Sequence, residues 1–279
     1  MNGLEKCDSA LRKVCTLPRG IVDPRESASR IRVNRYPPSQ SLASFIDHTW
    51  VVEWDLVERS PEQQRVLPSP NAHLVIGAGH TALFGAVRGI YARQLQGAGR
   101  VVGMRFRTGG LRPFLNSPVA MLTDRTVAVE TITGRKDQMA EAQVLAAADN
   151  QGMARAAETL ISPRLPASDP TVDLVCAIVA RARRDDGPRQ ANVLADDVGL
   201  SLRGLQRLFH EYVGVSPKWV IRRYRLQEAG RRLAQGQRLQ IAQLASELGY
   251  FDQAHLARDF GRLFGCSPAD YRRSQIGSG

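Results

Sequence analysis

The sequence predicts an α+β protein of two domains, a mainly β N-terminal domain that forms a small barrel and an all-α C-terminal domain. Three observations support this division. The chain has 279 residues, a length that suits two domains. Short β-type runs broken by Gly and Pro extend from Ile31 to about Ile132, a spacing typical of a small barrel or sandwich. A short unit with helical periodicity then occurs twice, beginning at Val193 and again at Ile241.

The domain boundaries follow from changes in this pattern. Residues 1–30 mix charge with Pro and Gly and lack sustained periodicity, so we expect a mobile tail. Residues 31–135 contain the β-type runs VVEWDLV, AHLVIGAG, ALFGAVRG, RVVGMRFRTGG and TVAVETITG. Residues 136–167, which include a stretch rich in Ala, Glu and Gln, predict one or two connecting helices, and residues 168–276 form the all-α domain.

The repeated unit predicts two helices separated by a tight turn. In each copy an apolar-periodic helix ends near a glycine, Gly199 or Gly249, and a side chain that can cap the next helix follows, Ser201 or Asp252. Such a pair of short helices is the signature of a helix-turn-helix. Two copies imply two helices that can each enter a groove of DNA.

A long helix between the two copies sets their separation. Ser216 can cap it, Pro217 occupies its first position, and Gly236 is the expected stop. Roughly twenty helical residues span about 30 Å, close to the roughly 34 Å between major-groove faces one turn apart. This helix can therefore place both second helices in successive major grooves.

Four motifs in this part of the chain carry a resemblance to a known family. They are GLSLRGLQRLFHEYVGVSP, RLQEAGRRL, IAQLASELGY and FGRLFGCSPADYRR. In this order they resemble the DNA-binding domain of the AraC/XylS family of bacterial transcription regulators, over roughly Asp173 to Arg273. The resemblance implies a domain that binds double-stranded promoter DNA, with RNA polymerase as a further expected partner, and that more often activates than represses.

The resemblance also implies which side chains of the first unit face DNA. Leu205, Leu208 and Phe209 are expected to face the core, and the expected base contacts are Leu202, Arg203, Gln206 and Arg207. Arg can pair bidentately with guanine and Gln with adenine, and each such pair gives about 1–3 kcal/mol of discrimination. The alternative is that one of the two arginines contacts only phosphate.

In the second unit the expected base contacts are Gln253, Ala254, His255 and Arg258. Ala254 offers only a methyl contact, as does Ala257, so we expect this unit to discriminate less and to depend on the DNA backbone and shape. His255 is equally well explained as a solvated surface histidine.

Phosphate contacts are expected from arginines beside the two units, namely Arg222, Arg223, Arg262, Arg272 and Arg273. Arg225 lies in the same long helix as Arg222 and Arg223. For Arg225 the alternative to a phosphate contact is a structural role, in which it pairs with Glu228 or another nearby acid. The formal net charge of +11 favours an acidic partner. Because the basic excess is spread along the chain, charge alone does not locate the DNA-binding part.

The first domain carries a second, looser resemblance, over about a hundred residues. The motifs YPPSQSLASFIDHTWVVEW, LPSPNAHLVIGAG and VVGMRFRTGG resemble the cupin-like N-terminal domain of one branch of AraC-type regulators, which implies a sensor or dimerisation domain. A β-barrel can enclose a small ligand, and the candidate pocket residues are Trp50, Trp54, His73, Phe84, Arg105 and Phe114. For any one of them packing is the alternative, because period-2 alternation turns about half of such residues into the core.

The sequence offers little support for catalysis. His48, His73 and His80 form no HxH cluster, and the chain lacks a GxSxG elbow and a P-loop. The four cysteines lack metal-site spacing, so no enzyme activity, metal or cofactor is expected, although a redox pair of Cys7 and Cys15 stays open. No apolar run of about eighteen residues occurs, so we expect a soluble cytoplasmic protein without a membrane partner.

Together these patterns predict a sequence-specific transcription regulator. A small-molecule effector could act through the N-terminal domain, which could also form a homodimer. One alternative is an effector-independent regulator whose first domain only dimerises or contacts polymerase. Another is a nonspecific architectural DNA binder, which the outward Arg and Gln of the first unit argue against.

Overall fold

The structure is a computed structural model that describes residues 31–57, 60–235 and 240–276. Three expectations of the sequence lie outside these described residues: the tail of residues 1–30, the cysteine pair Cys7 and Cys15, and the helix stop at Gly236.

The N-terminal part contains eight strands within the described residues. They are β1 (Ile31–Tyr36), β2 (Ile46–Leu56), β3 (Glu62–Val66), β4 (His73–Gly77), β5 (Ala82–Phe84), β6 (Tyr91–Leu95), β7 (Gly97–Phe106) and β8 (Thr126–Val127). Six of them form one sheet in the order β1-β2-β7-β4-β5-β8, and β3 pairs with β6 in a second sheet. All neighbouring strands are antiparallel.

The mainly β architecture is confirmed, but the main sheet is open rather than closed into the expected barrel. Its edges are β1, which pairs with β2, and β8, which pairs with β5. Because β8 has only two residues and the β3–β6 pair forms its own sheet, no strand among the described residues bridges the two edges.

Helices cover one face of the main sheet, which we call the covered face. They are α1 (Glu130–Thr133), α2 (Asp137–Leu145) and α3 (Asn150–Ile161). Side chains from α2 and α3, including Val144 and Met153, share one buried cluster with Val51, Leu74 and Met104 of the strands. Much of the segment expected to connect the domains thus packs on the sheet, and the domain boundaries themselves stay a prediction.

The C-terminal part is helical, as expected. Its helices are α4 (Pro170–Arg183), α5 (Ala191–Asp197), α6 (Leu202–Tyr212), α7 (Pro217–Ala234), α8 (Ile241–Glu247), α9 (Gln253–Phe264) and α10 (Pro268–Ile276). The three predicted caps are confirmed: the side chains of Ser201, Ser216 and Asp252 each accept a hydrogen bond from the backbone N–H three residues later. Local sequence therefore sets where α6, α7 and α9 begin.

The long helix α7 joins two separate cores. Val220 and Ile221, in its first half, pack in a cluster with Leu205 and Phe209 of α6. Leu226, Ala229 and Leu233, in its second half, pack in a different cluster with side chains of α8 and α9. Each helix-turn-helix unit thus has its own core, and α7 holds the two units at a fixed separation.

The β domain contacts the C-terminal helices through polar side chains. Arg112 Nε lies 2.6 Å from Glu211 Oε1 near the end of α6. Thr123 Oγ1 donates to the carbonyl of Gly214 at 2.5 Å, and Arg107 pairs with Asp173 of α4 at 2.7 Å. The contacts of Arg112 and Thr123 tie the domain to the end of the first unit, and the contact of Arg107 ties it to α4.

Candidate nucleic-acid interface

The first candidate surface is the outward side of α6. Arg203, Gln206 and Arg207 are exposed, whereas Leu205 and Phe209 are fully buried. Residues three and four apart lie on the same helix face, so the three polar side chains form one stripe. Within the described residues we find no hydrogen bond or ion pair from these three side chains. Their donors are therefore available to a ligand.

Two leucines of α6 lie beside this stripe. Leu202, at the start of the helix, is 40% exposed. Leu208, expected in the core, is half-buried and packs against the cluster of the first unit. Leu202 thus places an apolar side chain beside the polar stripe, at the N-terminal end where such helices contact base edges.

The second candidate surface is the outward side of α9. Gln253, Ala254, His255 and Arg258 are exposed there, while Leu256 on the other side is buried. The side chains of Gln253 and Arg258 have no polar partner among the described residues. The two units therefore present comparable exposed faces that carry amide and guanidinium donors.

A buried carboxylate anchors α9 to α7. Asp259 is only 4% exposed, and its Oδ2 lies 3.4 Å from Arg222 Nε and 3.6 Å from His255 Nε2. The ring of His255 also stands edge-on to Tyr250 at 5.1 Å. Burial and the negative charge of Asp259 raise the pKa of the Tyr250 hydroxyl. Arg222 and His255, both candidate DNA contacts, thus also interact within the protein.

The arginines expected to contact phosphate fall into different environments. Arg262 is exposed and has no polar partner among the described residues. Arg273 is exposed and pairs with Asp270, whereas Arg272 is half-buried and interacts within the chain. Of these three, Arg262 is the one whose charge is both exposed and unopposed.

Arg223 requires a correction. Its side chain is 7% exposed, its Nε donates to the carbonyl of Pro68, and its Nη1 donates to Gln227 Oε1 at 2.6 Å. Burial, together with the charges of nearby arginines, lowers its pKa to about 10. Because the β domain covers it, this guanidinium does not face a phosphate in the present arrangement.

The alternative that Arg225 pairs with Glu228 is not found. Glu228 instead accepts from Arg231 at 2.7 Å and from Arg232 at 2.6 Å. These bonds and charges lower the pKa of the Glu228 carboxyl against the opposing effect of burial. Arg225 is half-buried, and its Nη2 has no hydrogen-bond partner among the described residues.

Five of the six candidate pocket residues lie on the other face of the main sheet, which we call the second face. Strand register pairs His73 with Arg105 and with Phe84, and Trp50 and Trp54 alternate with the buried Val51 along β2. Phe114 is the exception, because its ring packs against Phe45 and Phe106 at 5.3 and 5.7 Å in the covered core. It belongs to a 3-10 turn, where strand alternation gives no guide.

Two of these five residues border different cavities. Trp54 borders a cavity of about 680 Å³ with Arg32 and Glu53. Arg105 borders a separate cavity of about 540 Å³ that is shared with Arg183 and Tyr224 of the helical part. Burial, followed by the charges of Arg105 and His48, lowers the pKa of His73 to about 3, so His73 is neutral near pH 7. The effector pocket stays a proposal.

The part of the chain described by the structure contains no group of three or more His, Cys, Asp or Glu side chains arranged to hold a metal ion. Within the same residues, no helix combines the length and apolar character needed to span a membrane.

Two segments of the chain match known protein families. Residues 34–128 match a domain of unknown function (DUF6597), and residues 194–274 match a helix-turn-helix domain. The second range begins in α5, ends in α10, and contains every motif by which the sequence resembles the AraC/XylS family. The C-terminal region is an AraC-type helix-turn-helix domain.

Similar proteins align with about a third of this chain. A Haemophilus influenzae protein named "Uncharacterized HTH-type transcriptional regulator" is 31% identical over 98 residues, which are 35% of this chain and 33% of the relative. The Escherichia coli "HTH-type transcriptional activator RhaS" is 33% identical over 86 residues, 31% of each chain. This chain thus spans about a third of the length of the curated relatives it matches.

Solved structures show a weaker overall similarity. A transcriptional regulator of Chromobacterium violaceum with an AraC-type DNA-binding domain is 26% identical, with a TM-score of 0.32, over 39% of this chain and 91% of that one. ToxT of Vibrio cholerae is 11% identical, with a TM-score of 0.35, over 87% of this chain and 98% of that one.

Sequence patterns missed several residues around the AraC-type domain. Arg112, Thr123 and Glu211 join the β domain to α6, although no local pattern distinguishes them. Phe251, in the turn before α9, is 94% exposed, and the alignment of the two repeats would have singled it out.

Proposed function

We propose that the protein is a sequence-specific transcription regulator that binds double-stranded promoter DNA through both helix-turn-helix units. The observation that carries this proposal is the stripe of Arg203, Gln206 and Arg207 on α6, exposed and without partners among the described residues. Guanidinium and amide groups in that position suit the edges of guanine and adenine in the major groove. Gln253 and Arg258 offer the same chemistry on α9.

The spacing of the two units supports simultaneous binding. Helix α7 has 18 residues and spans about 27 Å, and each of its halves belongs to the core of one unit. Successive major-groove faces on one side of DNA are roughly 34 Å apart. One chain therefore covers about two helical turns, and exposed cations such as Arg262 add affinity by neutralising phosphates.

Selection of bound sequences from random duplex DNA by the full chain, at near-physiological salt, tests this function. We expect a motif with two elements about one helical turn apart. Arg203→Ala and Gln206→Ala should relax the preference at the element bound by the first unit. Arg262→Ala is the matched control, because it should weaken all sequences alike. Strong binding without an enriched motif would support an architectural role instead.

We further propose that the β domain regulates the DNA-binding units and that the protein acts as an activator. The contacts of Arg112 with Glu211 and of Thr123 with Gly214 support coupling, because they join the β domain to the end of α6. The name of the RhaS relative favours activation. A homodimer and a contact with RNA polymerase belong to the same proposal.

A small-molecule effector would act by binding two arrangements of the domains with different affinity. A thermal-shift screen tests for one, since a ligand at a hundred times its Kd adds about 2.7 kcal/mol of stability. A ligand that stabilises the chain and also changes DNA affinity supports control by an effector. If the screen finds none and DNA binding is constant, the effector-independent regulator is favoured.

A further inference from the structure

The turn of the second helix-turn-helix unit is one residue longer than that of the first. Both first helices end at a glycine with positive φ, Gly199 at 68° and Gly249 at 73°. The backbone N–H of the next residue, Leu200 or Tyr250, then bonds back to an alanine carbonyl at 2.9 or 2.8 Å. In the first unit the cap of the following helix comes immediately, as Ser201. In the second unit Phe251 stands between Tyr250 and the cap.

Phe251 contributes almost nothing to the packing of the protein. Its side chain is 94% exposed, whereas the next most exposed large apolar residues, Val57 and Met139, reach 58%. Burying a Phe side chain stabilises a fold, and the inserted position forgoes that gain. Single exposed apolar residues are common on protein surfaces, so the location of this one decides its meaning.

That location is the N-terminal end of α9. Phe251 precedes the first helical residue, Gln253, by two positions, and the N-terminal residues of such helices are the ones that contact base edges. Gln253 and Arg258 beside it are exposed and have no polar partner among the described residues. None of the other large exposed apolar side chains lies in residues 241–264, so no second exposed apolar residue of this unit accompanies the ring. A protein-binding site would instead be expected to have an apolar core.

We propose that Phe251 is a base-contacting residue that packs its ring against the 5-methyl group of a thymine in the major groove. This inference rests on the proposed function, since it assumes that α9 enters DNA. The ring has no hydrogen-bonding group, and thymine is the one base that presents a methyl group in that groove. Phe251 thereby gives the second unit a preference for thymine that its hydrogen-bonding side chains do not provide.

Replacement of thymine by deoxyuridine tests the proposal, because it removes only the methyl group and preserves base pairing. The full chain is titrated with its selected site, in which each thymine of the second element is replaced in turn. For the wild type we expect about a fourfold loss of affinity at one position, the value of burying a single methyl group. For Phe251→Ala we expect weaker binding to the thymine site and equal affinity for thymine and deoxyuridine at that position.

Two controls separate this contact from other effects. Because the ring is exposed, Phe251→Ala should melt at the wild-type temperature, so a loss of affinity cannot come from unfolding. Leu202→Ala changes the exposed apolar residue at the start of α6, and it should keep the discrimination between thymine and deoxyuridine in the second element.

Several outcomes overturn the proposal while the proposed function stands. They are a second element without a thymine, a wild type that is indifferent to deoxyuridine throughout it, and a Phe251→Ala variant that keeps the discrimination. A variant that binds DNA as the wild type does but no longer activates transcription would assign Phe251 to a protein partner instead. If the wild type selects no motif at all, the proposed function fails and this inference fails with it.

Discussion

Two glycines of β7 lie directly beneath the indole rings of the second face. A Cβ atom at Gly99 would stand 2.4 Å from Cζ2 of Trp54, and one at Gly103 would stand 2.1 Å from Cζ2 of Trp50. Non-bonded carbon atoms pack at about 3.5–4.0 Å, so Gly99→Ala or Gly103→Ala must displace the ring. Neither glycine has a positive φ, and backbone strain therefore adds nothing to the effect.

The two rings differ in their freedom to move. Trp54 is 9% exposed, its Nε1 donates to the carbonyl of Gln96 at 3.2 Å, and the guanidinium of Arg93 lies 5.7 Å from its ring. Trp50 is half-buried and can tilt towards solvent. Overpacking costs about 1–3 kcal/mol, so we expect Gly99→Ala near the upper end of this range and Gly103→Ala near the lower end.

Thermal denaturation of the full chain, followed by tryptophan fluorescence, measures this order. Each kcal/mol lowers Tm by about 2–4 °C for 150–250 residues. Gly89→Ala is the matched control, because a Cβ there meets nothing within 4 Å. We expect Tm to fall in the order Gly89→Ala, Gly103→Ala, Gly99→Ala, with the last the least stable. Equal melting of all three variants would refute the placement of the rings on the glycines.

Three further predictions address the two domains. Arg223→Ala should destabilise the chain by about 1–3 kcal/mol in urea unfolding, because it leaves buried acceptors without a donor. Arg262→Ala should leave stability unchanged and lower the salt slope of DNA binding by about 1, which binding at several salt concentrations measures. The pKa of His73 is lowered to about 3 from about 6.5 in the unfolded chain. Between these two values the unfolded state binds one more proton than the folded state. The free energy of unfolding therefore falls as pH drops from about 6.5 towards 3, by up to about 1.4 kcal/mol per pH unit. His73→Gln should flatten this dependence when urea midpoints are compared at several pH values. Leu205→Ala, at a fully buried position, should cost about 2–5 kcal/mol, and Leu202→Ala, at an exposed one, should stay within about 0.5 kcal/mol in the same assay.

Sequence patterns predict the helical part well because its determinants are local. Ser201 and Asp252 cap their helices by bonding to N–H groups three residues away, and the apolar spacing of Leu205 and Phe209 follows from the helical repeat alone. The pairing of Glu228 with Arg232 is also predictable from the sequence, because a Glu placed four residues before a cation has the better orientation for an ion pair in a helix. The alternative pairing with Arg225 lacks this orientation, because Arg225 comes three residues before Glu228.

Contacts between distant segments are the part that the sequence does not predict. Arg223 sits in an arginine-rich stretch that suits phosphate contacts, and only the tertiary fold brings it to the carbonyl of Pro68, 155 positions away. Closure of the sheet depends in the same way on strands far apart in sequence, so β-type runs of similar spacing suit a barrel and an open sheet equally. Phe114 was misplaced because it lies outside the strands, where alternation carries no information.

The two copies of the helix-turn-helix unit act as an internal comparison that separates structural from specific positions. Both copies keep a left-handed glycine after the first helix, and both have one after the second, Gly214 at 86° and Gly265 at 77°. Both copies have glycine at these positions because the left-handed backbone conformation after a helix favours glycine over other residues. Asp259 of the second unit occupies the position of Leu208 in the first. This buried acid lies beside Arg222 of α7, so the change from an apolar to an acidic residue is balanced by a nearby cation. Phe251 has no counterpart in the first unit, and no partner of this kind accompanies it among the described residues. Its function is therefore expected to lie in the DNA that α9 is proposed to bind.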